Sequence, residues 1–513
     1  MAGSRRDFLG KMLAAVPFAA ASPGFRRAFA EIDPDERAVR LDADPLRPQF
    51  HLLPAKNWMN DPNGPIFWKG RYHMFFQYNP GAAVWGDMHW AHAVSPDMIH
   101  WKHLPIALAP TPGWDDADGC FTGSAVDDHG TATVIYTGVK AVAPELATLR
   151  DGHSNLREVQ CLATSNDSQL QTWSKRKTPV IEPPNDPALA GFRDPFMWRD
   201  GEVWYLGVGS GVRRQGGRVL LYRSRDLRKW EYLHPLASGK WTERENVNPV
   251  DSGEMWECPD FFPLGSKHVL LYSTAGKVVW ETGELDPKEL EFHSQRNGVL
   301  DHGAYYAQKT QLDARGTRIL WGWIPEKRSD DELRKAGWAG CMALPRVLSL
   351  NEQGDLLMRV APVAQPLRGK QLAQVAEKQT AAQRAATLID LKIANLCGEV
   401  SWRCAAGPFS LALADGAGRW WSLKVTASSS GLKAQINDKT IEVPVSLADL
   451  RCHLLLDSSV AEFFCNDQYV VTSRIYRQPD GPLRVEIPDS DVASLRALEA
   501  WQLRPISANR LTI

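Results

Sequence analysis

The chain has 513 residues, of which 59 are Lys or Arg and 60 are Asp or Glu, for a formal net charge of −1. A balance this even offers no electrostatic footing for nucleic acid or for an anionic membrane surface. Apolar residues make up 44% of the chain, enough to pack substantial cores, and the length calls for two or more domains.

The first stretch reads as an address rather than as fold. Ser4-Arg5-Arg6-Asp7-Phe8-Leu9-Gly10-Lys11 precedes a moderately apolar run, Met12 to Ala21. Ala28-Phe29-Ala30 then offers a small-x-small cleavage site. This resembles a twin-arginine export signal over residues 1–30, giving an exported mature protein in the periplasm or outside the cell. The apolar run is too short to span a membrane. Cys120, Cys161, Cys258, Cys341, Cys397, Cys404, Cys452 and Cys465 show no C-x-x-C spacing and no clustered histidines. No zinc or other metal site is therefore expected. Buried free thiols are expected ahead of disulfides, since Cys packs well as a small apolar residue.

From His51 to Arg346 short strand-like runs alternate with Gly, Pro and Asp clusters, as all-β spacing does. No long helical period interrupts them. Trp58-Met59-Asn60-Asp61-Pro62-Asn63-Gly64 has turn chemistry and predicts a tight turn with Asp61 as its cap. Further on, Ser95-Pro96-Asp97-Met98-Ile99-His100-Trp101 recurs as Ser224-Arg225-Asp226-Leu227-Arg228-Lys229-Trp230. A longer copy runs from Ser165 to Trp173 and a weaker one from Asp286 to Phe292. Each copy predicts a hairpin turn followed by an aromatic plug. The copies are about 60–70 residues apart, somewhat longer than usual propeller blades, and long loops account for the excess. About five such units fit, which predicts a five-bladed β-propeller over residues 45–350. Its central funnel would gather distant acids at one point. Residues 351–386 are Gln- and Ala-rich for much of their length and read as a linker with one helix. Alternating runs return over 387–513 and predict a β-sandwich.

Three motifs follow the first at long range: Phe121-Thr122-Gly123-Ser124, Arg193-Asp194-Pro195 and Glu257-Cys258-Pro259-Asp260. In this order, the set resembles glycoside hydrolase family 32, the invertase, inulinase and levanase group. Trp85-Gly86-Asp87-Met88-His89-Trp90, Asp301-His302-Gly303-Ala304-Tyr305-Tyr306-Ala307 and Trp321-Gly322-Trp323 extend the match. So does Leu456-Asp457-Ser458-Ser459-Val460-Ala461-Glu462-Phe463-Phe464, a structural strand in the family's C-terminal module. The resemblance implies an all-β chain, a five-bladed β-propeller followed by a C-terminal β-sandwich. It implies a retaining, cofactor-free β-fructofuranosidase that cleaves the terminal β-fructosyl bond of sucrose or a β-fructan.

Glycoside cleavage needs two carboxyls across one bond. Asp61 reads as the nucleophile, held ionised by backbone N–H groups of its turn. Glu257 reads as the acid/base, its pKa raised by the bulk of Trp256, Cys258, Pro259, Phe261 and Phe262; Glu254 is its rival. By resemblance, Asp194 binds fructose hydroxyls and steadies the cationic transition state. Arg193 beside it can pair with that carboxylate and hold it charged. The resemblance nominates Asn60, Gln77, Trp85, Phe121, Ser124 and Trp323 for the sugar pocket, with Arg193 beside them. The competing readings are an exo-fructanase, a fructosyltransferase, an arabinan- or xylan-cleaving propeller and a non-catalytic sugar-binding propeller. Sucrose-6-phosphate hydrolases share the fold, and the export signal argues against a cytosolic phosphosugar.

Overall fold

The computed structural model describes residues 41–150, 155–241, 253–429, 431–444 and 448–507; the expected export signal lies outside the described residues. Five antiparallel sheets follow one another along the chain, beginning with the strands Asn57–Trp68, Gly119–Asp128, Leu189–Asp200, Glu257–Leu264 and Tyr306–Leu312. These five leading strands touch one another in a ring, and the fifth returns to the first. They are the innermost strands of a five-bladed propeller. A short strand inserted between the second and third strands of the fifth blade, Trp338–Ala339, pairs in parallel with Asn57 and Trp58 of the first. The ring is thus closed by hydrogen bonds as well as by packing.

The repeated acid turns lie between the third and fourth strands of four blades. Asp97, Asp167, Asp226 and Asp286 each accept main-chain N–H bonds from residues two to five places on. One residue per turn takes a positive φ: Met98, Leu170, Leu227 and Leu290. The indoles of Trp101, Trp173 and Trp230 donate back to the carbonyls of the first three of these residues. The acid pays for the strained corner and the aromatic ring covers it. The fifth blade turns differently, through Asn351 and Gly354.

Two local expectations change. Trp58 to Gly64 is no turn but the middle of the long strand Asn57–Trp68, and the hairpin turns later at Lys69-Gly70. The turn-forming residues serve two register slips within the strand, Met59 to Pro62 and Asn63 to Ile66. Proline lacks a ladder N–H, so it belongs at such bulges. The segment 351–386 is not one linker. Leu356–Val360 is the outer strand of the fifth blade, and Arg368–Val375 pairs with Leu495–Leu503 in the second module. A short 3-10 turn, Pro362–Leu367, leads from one to the other, and the expected helix is Ala381–Leu388.

The second module is two six-stranded antiparallel sheets packed face to face. Trp402, Trp421 and Phe463 meet in the core between them. All eight cysteines are buried and free. Among the described residues no helix is long and apolar enough to cross a membrane.

Charged groups weld the modules. Asp457 of the sandwich accepts the main-chain N–H groups of Gln49, Phe50 and His51 and the His51 Nδ1 at 2.7 Å. The other imidazole nitrogen lies 3.0 Å from Glu462, which also takes Arg346 Nη2 at 2.6 Å. Arg346 reaches Asp301 at 3.0 Å, and Asp301 binds Thr472 across the boundary. The strand motif of the C-terminal module is therefore an interface motif, aimed at the propeller. Asp301-His302-Gly303-Ala304, part of the family match in sequence, belongs to the same seam. A Cβ on Gly303 would stand 1.9 Å from the Thr472 carbonyl.

Burial alone would push the His51 imidazole down, but Asp457 and Glu462 lift it from 6.5 to about 9. Burial would raise Glu462, yet Arg346 and His51 bring it to about 2. The His51 contribution is then complete below about pH 6.5 and is lost as pH rises through about 9. The thermal midpoint should fall across that window, and His51→Gln should flatten the fall. Glu462→Gln leaves a buried cation short of its partner and should cost about 3 kcal/mol in denaturant unfolding.

Candidate active site

Each innermost strand has a register slip at the same level of the ring, and the first and third strands have a second one. The slips at the shared level fall between Met59 and Pro62, Cys120 and Gly123, Arg193 and Phe196, Glu257 and Asp260, and Tyr306 and Lys309. A bulge turns consecutive side chains to one side and frees main-chain groups from the ladder. Asp194, Cys258 and Ala307, at three of the slips, carry φ values of 62°, 48° and 54°. Side chains of neighbouring blades take up the freed groups. Gln77 donates to the Cys120 carbonyl, Gln160 to Phe192 and Gln308 to Cys258. Thr137 accepts the Asp194 N–H, and Ser273 accepts that of Ala307.

These bulges open on one pocket at the ring's centre. Asp61, Asp194, Glu257, Asn60, Gln77, Trp85, Phe121, Arg193 and Trp323 all line it. Ser124 does not. It lines a second cavity beyond the bulges, beside Ile66 and Phe196. After the slip before Gly123 the ladder resumes, and Ser124 lies beyond the bulge from Phe121, paired with Ile135. Glu254 is not among the lining residues either.

Five pocket residues were not singled out from sequence: Trp58, Thr122, Leu149, Cys258 and Tyr306. Thr122 stood in plain view inside the Phe121–Ser124 motif. Strand alternation would have turned either it or Phe121 away, and the bulge presents both. Cys258 reads from sequence as bulk beside Glu257 and not as a donor to the acids, and Tyr306 only as part of the family match.

The acids meet different partners. Asp61 Oδ1 accepts from Asn60 Nδ2 at 3.0 Å, and Oδ2 from Thr122 Oγ1 at 2.8 Å and Cys258 Sγ at 3.4 Å. Its donors are side chains, not the backbone of a turn. Burial raises its pKa above the usual carboxylate range, and the Glu257 charge adds to the rise. The Thr122 and Asn60 donors offset only part of it. Asp194 is 3% exposed, and its Oδ2 accepts from the Cys258 N–H at 2.9 Å and Sγ at 3.5 Å. Among the described residues none hydrogen-bonds its Oδ1. Burial, with Asp61 and Glu257 nearby, lifts Asp194 to about 7 against the pull of Arg193 and Lys309.

Arg193 does not chiefly serve Asp194, which it meets only at 3.9 Å. Its guanidinium spans Glu158 at 2.8 Å and Glu257 Oε1 at 2.8 Å. Tyr306 donates to Glu257 Oε2 at 2.5 Å. The surroundings of Glu257 are therefore polar and paired, unlike the apolar shell expected. Trp256 instead stacks on Tyr272 at 3.8 Å, and Phe261 and Phe262 pack into inter-blade cores. Among the described residues no group of three or more His, Cys, Asp or Glu could hold a metal ion.

Cleavage of a sugar bond needs two carboxyls, and this pocket, walled by indole and phenyl rings, presents them with a third beside them, so fold and site define a glycosidase. Two family models match almost the whole described chain. Residues 51–360 match the glycosyl hydrolases family 32 N-terminal domain, and residues 370–502 match the family 32 C terminal. The chain belongs to glycosyl hydrolase family 32. It is 35% identical to a sucrose-6-phosphate hydrolase of Escherichia coli, over 89% of this chain and 94% of that one. It is 38% identical to a raffinose invertase of Escherichia coli, over 63% of this chain and 66% of that one. Among solved structures it is similar to the family 32 beta-fructofuranosidase of Bombyx mori. The TM-score is 0.72 at 30% identity, covering 91% of this chain and 96% of that one.

Thr122→Val removes one hydrogen bond to the buried Asp61 carboxyl and keeps the shape. A hydrogen bond to a charged group is worth about 1.5–3 kcal/mol, so fructoside hydrolysis should slow by roughly 10- to 100-fold in kcat/KM. Circular dichroism should be unchanged.

Proposed function

We propose that this protein is an exported β-fructofuranosidase that removes the terminal fructosyl unit of sucrose or a β-fructan with retention. The convergence of Asp61, Asp194 and Glu257 in one pocket carries the reading. Asp61 attacks the anomeric carbon, and Glu257 protonates the leaving oxygen and then activates water. The bond Asp61 forms is an ester to the fructosyl unit, broken in the second step by that water. Asp194 keeps a free carboxylate oxygen for ring hydroxyls, and its charge suits an oxocarbenium-like transition state.

The pocket is bounded by residues from all five blades, which supports entry by the end of a chain rather than passage of its middle. Among the described lining residues, Arg193 is the one cation, and Glu158 and Glu257 already occupy it. Those residues therefore leave no positive group to receive a sugar phosphate, which favours unphosphorylated substrates although several relatives are named for a phosphosugar. The Arg5-Arg6 signal supports a place outside the cytoplasm. The eight buried free thiols suit a protein folded before export.

The mature protein incubated with sucrose, inulin, levan and sucrose-6-phosphate should release fructose from at least one unphosphorylated sugar. Asp61→Asn and Glu257→Gln should each lose about 10³-fold or more in kcat, the scale of a positioned acid or base. Release from the phosphosugar alone would overturn the substrate assignment. Unchanged rates in both variants would overturn the mechanism.

A further inference from the structure

The position just beyond each bulge is structurally equivalent in the five blades. It is filled by Pro62, Gly123, Phe196, Asp260 and Lys309. Two are charged, and they stand on adjacent blades. Lys309 is 2% exposed, and its ammonium donates to the Pro259 carbonyl at 3.0 Å and the Asp194 carbonyl at 3.4 Å. Those carbonyls belong to the bulges that present Glu257 and Asp194. Among the described residues no carboxylate is within salt-bridge distance of the ammonium. A lysine buried this deeply is costly unless nearby charge offsets it, and the carboxyls coupled to it are Asp260 beside it and Asp194 of the cluster above.

We propose that Lys309 is a positioning residue for the reaction. From beneath the pocket it ties the Asp194 bulge to the Glu257 bulge and sets one positive charge under the carboxyls. The proposal rests on the reading of Asp194 as a participant. The groups facing Asp194 are Asp61 from the first blade and Arg193 from its own strand. The fourth blade adds Glu257 and Cys258, and the fifth adds Lys309. Asp260, whose carboxylate takes the Thr310 N–H at 2.5 Å, and Arg318 lie on the far side of Lys309. In this set Lys309 and Arg193 are the charges that hold Asp194 down, and Arg193 is shared with two glutamates. Lys309 thus adds to Arg193 a second positive charge which, among the described residues, has no carboxylate within salt-bridge distance.

The test compares the native enzyme with Lys309→Met, Lys309→Gln and Lys309→Arg. Gln keeps donors for the two carbonyls and drops the charge; Arg keeps the charge. Asp194 is followed directly by carbon NMR on protein labelled at aspartate carboxyls, assigned against Asp194→Asn. In native enzyme it should titrate near pH 7. Without the cation its titration should move up by about one pH unit or more. The acid limb of kcat/KM should move with it, while Lys309→Arg keeps both near their native places. A folded Lys309→Met or Lys309→Gln with both titration and limb unmoved would overturn the proposal. If Met does not fold, Gln decides. If Asp194→Asn were as active as native enzyme, the role of Asp194 would fail, and the NMR titration would still judge Lys309.

Discussion

Three carboxyl groups around one pocket repel one another, and burial penalises the charges of Asp61 and Asp194 further. The rest of the propeller can be understood as the answer to that constraint. Arg193 takes up Glu257 and Glu158 together. Cys258 places one thiol between Asp61 and Asp194, within 3.4 and 3.5 Å of their carboxylates. Residual strain appears as raised pKa values for Asp61 and Asp194. None of these contacts exists within a single blade, so the site depends on the ring being complete.

The bulges make such contacts possible. A regular innermost strand would send alternate side chains to opposite faces. A slip in each blade instead aims neighbouring residues at the axis, and the freed peptide groups are captured by Gln77, Gln160, Gln308, Thr137 and Ser273 of other strands. These buried amides and hydroxyls hold the geometry that chemistry then uses. Hydrogen bonds shielded from water are stiff supports, and an unsatisfied one would be costly.

Much of this was legible in the sequence, for reasons that vary by residue. The S-x-D…W repeats are local, since an Asp carboxylate and the next few N–H groups settle the turn between them. Asp61, Asp194 and Glu257 stood out through motif wording, and the structure gathers them in one pocket. What sequence could not supply was register. Thr122 and Ser124 are two residues apart in one motif, yet a slip at Gly123 puts one against Asp61 and the other in a different cavity. Partner choice was equally hidden: Arg193 adjoins Asp194 in sequence but binds Glu158 and Glu257, 35 and 64 residues away. The linker expected over 351–386 failed because Gln- and Ala-rich composition says little about strands whose pairing partners are far along the chain.

The closing strand Trp338–Ala339 has a bearing on how the protein comes into being. It zips onto Asn57 and Trp58, near the start of the propeller. The main-chain groups of Gln49, Phe50 and His51 then wait for Asp457, more than 400 residues downstream. A nascent chain on the ribosome can therefore pair the four strands of its first blade early, while the ring stays unclosed until Trp338–Ala339 has been made. A product truncated before the sandwich would expose a seam built for Asp457 and Glu462. The joint between the modules is complete only after Asp457 and Glu462 have been synthesised.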